Sequence, residues 1–180
     1  MLVKTYGSAV FGIDASTITI EVNLAIGVNF ILVGLPDSAV KESKNRIRAA
    51  IDNNGLKYPG KEITINMAPA DVRKEGSTFD LPIAIGILAV SDQVLTDQLD
   101  KYVVLGELSL DGELKPMKGV LSIALQAKKD GFKGLIVPHQ NANEAAIVDG
   151  IDVYGMKHLM EVVDFFNRDS KAEPIKVDLD

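Results

Sequence analysis

The chain has 180 residues, of which 47% are hydrophobic and 24% are charged, and these proportions exclude collagen-like, disordered and coiled-coil proteins. Nineteen basic and 25 acidic residues give a formal net charge of −6, with a pI near 5.0. This acidity excludes a basic, nucleic-acid-binding coat over the whole surface, although it leaves room for a local basic patch.

The chain lacks cysteine, so it has no disulfides, no thiolate metal site and no cysteine nucleophile. Its first residues do not form a signal peptide, because no long apolar run is followed by a small-residue cleavage site. No uninterrupted apolar stretch reaches the roughly 18 residues that a membrane span requires. We therefore expect a soluble, cytoplasmic protein.

The first third of the chain is typical of strands. Residues 16–24 alternate between polar and apolar, which predicts a half-buried strand whose inward face is Ile18, Ile20, Val22 and Leu24. After a turn at residues 27–29, residues 30–33 are apolar throughout, which predicts a strand in the centre of a sheet. Together the two strands suggest an antiparallel hairpin.

A helix is predicted from Pro36-Asp37 to about Asn53, because proline and acidic residues suit a first turn and Asn54-Gly55 suits a helix end. Its buried stripe is expected to be Val40, Ile47 and Ile51. An alternating strand follows at residues 63–67 and a loop at 68–78. Residues 79–90 are apolar almost all the way round, which predicts a core helix.

The second half predicts a strand over residues 103–110, a hairpin turn at Asp111-Gly112 and a return strand at 113–115. Helices are predicted at 119–129, 141–148 and 159–167, with strands at 132–137 and 153–154. In the first of these helices the inward residues are Val120, Ile123, Ala124 and Ala127. This order predicts a parallel βαβ portion, and hence one layered α/β (α+β) domain over residues 1–168. Residues 169–180 are mostly polar and contain Pro174, which predicts a linker.

Several catalytic patterns are missing from the sequence. It contains no phosphate-binding P-loop, no Gly-x-Gly-x-x-Gly and no Gly-x-Ser-x-Gly. His139 and His158 lack metal-ligand spacing, so we expect two surface histidines and no zinc site. Acidic residues form two clusters, one at a predicted hairpin and one at a predicted loop: Glu107, Asp111 and Glu113, and Asp71, Glu75 and Asp80. A pair of these carboxylates could in principle perform acid–base chemistry, but roles in turns and helix caps explain them more simply.

Basic residues form the more informative pattern. Three of them share one face of the first predicted helix: Lys41, Lys44 and Arg48. Arg46 lies off that face, four residues after Glu42, which predicts a pair within the helix. Arg73 and Lys74 add charge in the following loop. These residues are either a solvated surface, which is the commoner case, or a contact for nucleic-acid phosphates or for the acidic face of a partner subunit.

Four stretches carry a resemblance to a known family: VGLPDSAVKE at 33–42, NMAPADVRKEG at 66–76, FDLPIAIGIL at 79–88 and LGELSLDGEL at 105–114. In this order, and over nearly the whole chain, they resemble the N-terminal domain of the YifB/ComM family of bacterial Mg-chelatase-like AAA+ ATPases. The resemblance implies the fold of the Lon proteolytic domain, in the superfamily of a ribosomal small-subunit protein domain and the GHMP kinases.

The resemblance also implies a larger context. An AAA+ module would follow the predicted linker and bind ATP and Mg²⁺, leaving no cofactor or metal for residues 1–168. The whole protein would be a homo-oligomer, a hexamer in the manner of a ring motor, without a membrane partner. DNA would be its substrate, in branch migration during natural transformation.

The Lon fold uses a serine and a lysine, and the resemblance places Asp80 at the serine and Leu121 at the lysine. Both catalytic groups are therefore absent, which implies a non-catalytic accessory domain for subunit assembly, DNA contact or both. Its candidate contact residues are Lys41, Lys44, Arg48, Arg73 and Lys74. The alternatives are a Lon-type serine peptidase and a GHMP-type small-molecule kinase. The kinase alternative is weakened because residues 75–80 contain one glycine where such kinases carry a Gly/Ser-rich phosphate loop.

Overall fold

The structure, a computed structural model, describes residues 1–177. The first half of the chain forms β1 (Leu2–Phe11), β2 (Asp14–Ala25), β3 (Phe30–Val33), α1 (Asp37–Asn53), β4 (Glu62–Ala68) and α2 (Asp80–Val90). The second half forms β5 (Tyr102–Val104), β6 (Glu107–Leu108), β7 (Leu114–Lys115), α3 (Val120–Lys129), β8 (Gly134–Pro138), α4 (Ala142–Ala145), β9 (Asp152–Met156) and α5 (Leu159–Phe166). Short 3-10 turns precede β5 and α4.

The first sheet has the strand order β1-β2-β4-β3. The pairs β1–β2 and β2–β4 are antiparallel, and β3 pairs with β4 in parallel. The alternation over 16–24 predicts the inward face of β2 correctly, since Ile18, Ile20 and Val22 are fully buried and Leu24 is partly buried against the core.

The prediction for residues 30–33 is wrong in two respects. The strand β3 lies at the edge of the sheet rather than at its centre, and it does not pair with β2. The physical reason is that β4 lies between them and bonds to β2 along its whole length, from Glu62 to Ala68. As a result Ile31 and Val33 face solvent, while Phe30 and Leu32 pack partly on the core.

Helix α2 is the centre of the fold, as its all-round apolar pattern predicts. All eleven of its residues are buried. It lies so close to β2 that a Cβ on Gly86 would stand 2.7 Å from Cγ2 of Val22. Glycine is therefore required in this helix interior for close approach to the sheet, although it ordinarily disfavours a helix.

The second sheet is parallel, with the order β5-β8-β9, and confirms the predicted βαβ portion. It is buried on both faces. One face joins the core around α2, and the other packs on α3 and α4. The four predicted inward residues of α3 are all buried, namely Val120, Ile123, Ala124 and Ala127. The fold is thus the layered mixture of helices and sheets that the sequence predicts.

The predicted continuous strand over 103–110 is wrong, because the strand is interrupted between β5 and β6. At this break the amide of Gly106 donates to the carbonyl of Thr78 at 2.9 Å, and its carbonyl accepts from the amide of Leu81 at 3.0 Å. Gly106 has a φ of +154°, which favours glycine. The break thereby ties this segment to the start of α2. The predicted hairpin beyond it is confirmed by the pairing of Glu107 with Lys115.

Residues 169–177 contain neither helix nor strand. The amide of Ile175 donates to the carbonyl of Val153 at 2.7 Å, so this segment runs beside β9, and Arg168 forms an ion pair with Asp97. The last residues of the predicted linker, 178–180, lie outside the described residues. Within residues 1–177, every helix is too short or too polar to cross a lipid bilayer.

Candidate functional site

The start of α2 carries a buried ionic group, and it lies where the Lon resemblance places a nucleophile. Asp80 is the first residue of α2, and its side chain is 0% exposed. Arg46 of α1 donates from Nε to Oδ2 at 2.6 Å and from Nη2 to Oδ1 at 3.1 Å. The Ser43 hydroxyl also donates to Oδ1, and the amide of Leu108 donates to Oδ2 at 3.1 Å.

Each oxygen of the Asp80 carboxylate therefore accepts two hydrogen bonds from the protein. This matters chemically because a general base or a nucleophile needs a free lone pair within reach of substrate. In this structure the carboxylate instead binds α1 to α2 and to the strand β6. The arrangement is that of a satisfied buried ion pair, with an Arg fork across one carboxylate.

Burial and pairing act in opposite directions on the two charges. Burial raises the pKa of the Asp80 carboxyl, and the hydrogen bonds from Arg46, Ser43 and the Leu108 amide oppose that rise. The hydrogen bond to Asp80 raises the pKa of Arg46, against the effect of its own partial burial. Arg46 thus stays protonated and supplies the charge that compensates Asp80.

The predicted Arg46–Glu42 pair is wrong, because Arg46 turns inward to Asp80. The interpretation of Asp80 as a simple turn or cap residue is also wrong. The spacing of Glu42 and Arg46 fits a pair along the helix, but only the packing of α1 on α2 brings Asp80 within reach, 34 residues away. The signal that sequence reasoning missed is a single carboxylate at the start of an otherwise apolar, buried helix, which needs a buried partner.

Leu121, at the position that the resemblance assigns to the Lon lysine, is the second residue of α3 and is 37% exposed. Its side chain carries no titratable group, so it provides neither a base for a hydroxyl nor a counter-charge for Asp80.

Neither histidine lies in a group suited to a metal. His139 is exposed, as predicted, whereas His158 is half-buried and caps α5 by accepting from the amide of Met160 at 3.0 Å. Its Nε2 lies 2.8 Å from the carbonyl of Asp111, which fixes Nε2 as the protonated nitrogen. Among residues 1–177, no three His, Cys, Asp or Glu side chains are grouped to hold a metal ion.

The two basic residues of the loop between β4 and α2 have different environments. The Lys74 side chain is 5% exposed, and its ammonium donates to the carbonyls of Pro69 and Val72, both at 2.7 Å. Arg73 is exposed and pairs with Glu75 at 3.1 Å. Lys74 is therefore a structural brace of the loop rather than part of an exposed basic surface.

The predicted basic face of α1 is present, with Lys41 and Arg48 exposed and Lys44 half-buried, and it borders a cavity. Lys41 is solvent-exposed, while Lys44 lies over the ring of Phe30 at 5.7 Å and Arg48 over the ring of Tyr58 at 5.0 Å. The cavity beside them measures about 220 Å³ and is also lined by Lys61. Sequence spacing predicted the helix face, but it could not predict Lys61, which the turn before β4 brings to the same place.

Comparison with known proteins places the chain in a family. The sequence model of the family described as "Subunit ChlI of Mg-chelatase" matches residues 20–141, and the chain belongs to this Mg-chelatase-like family. The chain is 46% identical over 171 residues to the competence protein ComM of Haemophilus influenzae, covering 94% of this chain and 33% of ComM. It is 44% identical over 158 residues to YifB of Escherichia coli, covering 87% of this chain and 31% of YifB.

The chain therefore spans about a third of the length of these curated relatives. It is also 27% identical over 146 residues to Lon protease 2 of Bacillus subtilis, covering 79% of this chain and 26% of that protein. The resemblance to the YifB/ComM group is confirmed, and the likeness to a Lon protease supports the expected Lon-like fold.

Proposed function

We propose that this chain is a non-catalytic accessory domain of a Mg-chelatase-like AAA+ ATPase, acting in the cytoplasm. In the proposed role it holds subunits together, contacts DNA, or does both, in a hexameric motor that drives DNA branch migration with ATP. The proposal rests on the family, on the Lon-like fold and above all on the state of Asp80.

The observation that carries the non-catalytic role is the saturated carboxylate at the start of α2. Where a Lon-type peptidase presents its nucleophile, this chain buries Asp80 under Arg46 and Ser43. With Leu121 in place of the lysine, the proposed domain has the Lon-like fold but lacks the nucleophile and the base that acyl transfer requires. This arrangement also disfavours a kinase, since a buried carboxylate at a helix start opposes a bound phosphate.

In the proposed protein, ATP and Mg²⁺ bind a module outside this chain. Two observations support that division. The relatives are about three times as long as the part that this chain matches, and the described residues offer no metal-ligating group. In this proposal the described residues take no part in binding ATP or Mg²⁺.

The test of the non-catalytic role uses the 180-residue chain with fluorogenic peptides, and separately with labelled ATP. We expect no peptide cleavage above the buffer rate and no ATP binding. Cleavage that survives repurification and disappears in Asp80→Asn would establish a peptidase. Saturable ATP binding by this chain would instead favour the kinase alternative.

The contact role is tested with fluorescent forked and single-stranded DNA over a salt series. Because phosphate contacts release counterions, an affinity that falls steeply with salt indicates that the chain touches the DNA backbone. In the whole protein, replacing Lys41, Lys44 and Arg48 by Glu should weaken DNA binding or reduce the mass of the oligomer. Unchanged salt-dependent affinity and unchanged mass would contradict both forms of the contact role.

A further inference from the structure

One cavity collects positive charge from parts of the chain that are far apart in sequence. It lies between the start of β3, the middle of α1 and the turn that leads into β4, and measures about 220 Å³. Each segment contributes polar or cationic groups: Asn29 from the first, Lys44 and Arg48 from the second, and Lys61 from the third. The convergence is a product of the β3–α1–β4 crossover and not of helix periodicity.

Two of these cations are held in place by aromatic rings that line the same cavity. The ammonium of Lys44 lies 5.7 Å from the centre of the Phe30 ring, and the Arg48 guanidinium lies 5.0 Å from that of Tyr58. Cation–π contacts of this kind reduce the freedom of long side chains while leaving their N–H groups available. The charges are thus positioned before any ligand arrives.

These positive charges are only weakly compensated. Arg48 has one carboxylate neighbour, Asp52, at 3.8 Å, and both side chains are more than half exposed. Within the described part of the chain, neither Lys44 nor Lys61 forms an ion pair. In a protein of net charge −6, this local excess of positive charge is a site that attracts an anion.

The size and lining of the cavity select among anions. Pockets that enclose a drug-sized ligand measure about 300 to 1,000 Å³, so this cavity is small for a complete nucleotide. It is partly open to solvent, and Lys61 and Arg48 stand at its exposed rim. A single phosphate group matches both the positive charge and the small volume of the cavity. It would enter from the solvent side, while the polymer that carries it continues along the protein surface.

We propose that the cavity bounded by Lys44, Arg48 and Lys61 binds one phosphate group of a nucleic-acid backbone. The side-chain amide of Asn29 also lines the cavity and donates to the carboxylate of Glu62 at 3.5 Å. This inference rests on the DNA contact proposed above and refines it. The binding site is the cavity rather than the stripe along α1, so Lys61 belongs to the site and Lys41, which does not line the cavity, does not.

The test measures the affinity of the 180-residue chain for a fluorescent oligothymidylate, and for a duplex, as salt is varied. Four variants remove the same single charge: Lys44→Gln, Lys61→Gln, Lys41→Gln and Lys118→Gln. Lys118 is an exposed residue before α3 and is the matched control. We expect Lys44→Gln and Lys61→Gln each to weaken binding about threefold or more and to lower the salt slope by about 0.7 for the single strand. We expect Lys41→Gln and Lys118→Gln to match the wild type.

A second measurement is independent of nucleic acid. Titration of the ¹⁵N-labelled chain with inorganic phosphate should shift the amide signals of Asn29, Gly60 and Lys61 first, and Lys61→Gln should abolish the shift. Oligothymidylate should move the same signals at lower concentration. Phosphate shifts that are not followed by oligothymidylate shifts would assign the cavity to a free phosphate and overturn the nucleic-acid assignment.

The possible failures are distinguishable. If the wild-type chain binds no nucleic acid at low salt, the proposed DNA contact itself is wrong. If it binds, but Lys61→Gln binds as well as the wild type, the cavity is overturned and the DNA contact stands. A loss in Lys41→Gln without a loss in Lys61→Gln would return the contact to the stripe along α1.

Discussion

Arg46 and Asp80 join the middle of α1 to the first residue of α2 through two parallel hydrogen bonds, of 2.6 and 3.1 Å. The Asp80 carboxylate accepts four hydrogen bonds in all. Arg46 donates two of them, and the Ser43 hydroxyl and the amide of Leu108 donate the others. Three elements, α1, α2 and β6, therefore meet at one carboxylate, at the position that the resemblance aligns with the Lon nucleophile. In this structure that carboxylate links the three elements to one another.

Loss of one partner should be strongly destabilising. Arg46→Met leaves the fully buried Asp80 without its counter-charge, and breaking a buried pair in this way costs about 3 to 5 kcal/mol. We expect the lower end of that range, because the Arg46 side chain is 22% exposed and water can take its place in part. Urea denaturation gives the free energy of unfolding.

Replacement of both partners should recover much of the loss, since a buried pair exchanged for apolar groups is often neutral. The double variant Arg46→Met/Asp80→Leu tests this in a double-mutant cycle. Arg73→Met is the matched control, because the Arg73–Glu75 pair is exposed and its loss should change stability by less than about 1 kcal/mol. Equal losses in Arg46→Met and Arg73→Met would contradict the assigned importance of the buried pair.

Stability should depend on pH through Asp80. Burial raises its pKa in the folded state, so between the ordinary aspartate value and the raised one the folded chain binds more protons than the unfolded chain. The contribution of Asp80 to the free energy of unfolding is therefore largest below the ordinary aspartate pKa. It falls as pH rises from that value to the raised pKa, and it stays constant at higher pH. Asp80→Asn lacks the effect, so its stability relative to the wild type should rise with pH over the same window. If the free energy of unfolding of the wild type instead increased with pH relative to that of Asp80→Asn, hydrogen bonding would outweigh burial in setting the pKa of Asp80.

Gly86→Ala should destabilise the protein, although the same change in an exposed helix stabilises by about 1 kcal/mol. The new Cβ would stand 2.7 Å from Cγ2 of Val22, and overpacking of this kind costs about 1 to 3 kcal/mol. We expect a net loss of about 1 kcal/mol. Val22→Ala removes the clashing atom, so in the Val22→Ala background the Gly86→Ala change should lose most of its cost. Additive effects of the two changes would disprove the steric explanation.

Lys74→Met should loosen the loop between β4 and α2, whereas Arg73→Met should not. The Lys74 ammonium makes two hydrogen bonds to loop carbonyls, and a hydrogen bond to a charged group contributes about 1.5 to 3 kcal/mol. The loss should appear as faster proteolysis within residues 69–79 and as a lower unfolding midpoint. If the two variants behave alike, Lys74 does not brace the loop.

Local patterns predicted the individual elements well. The alternation in β2 identified its buried face, and the periodicity of α3 identified all four of its inward residues, because both follow from the geometry of one element. The edge position of β3 was not predictable in this way. Its four apolar residues are compatible with either a central or an edge strand, and the outcome depends on β4, which is formed 29 residues further along the chain.

The candidate site divides in the same manner. Helical spacing placed Lys41, Lys44 and Arg48 on one face, and the family resemblance aligned Asp80 with a missing serine. Neither could show that Arg46 pairs with Asp80 instead of Glu42. Nor could they show that the Lys74 side chain is buried, or that Lys61 lines the cavity. Each of these facts depends on the distance between atoms that are remote in sequence.

By itself, the sequence determined the helices, most strands, the absence of cysteine chemistry and the family. The elements and the absence of cysteine chemistry follow from composition and from short-range periodicity, which every segment carries within itself. The family was recognised from four motifs that resemble it. Only the tertiary structure decided the strand order, the partner of each charge and the position of the basic cavity. The reason is that a long polar side chain can reach several partners, and packing of the core determines which of them it meets.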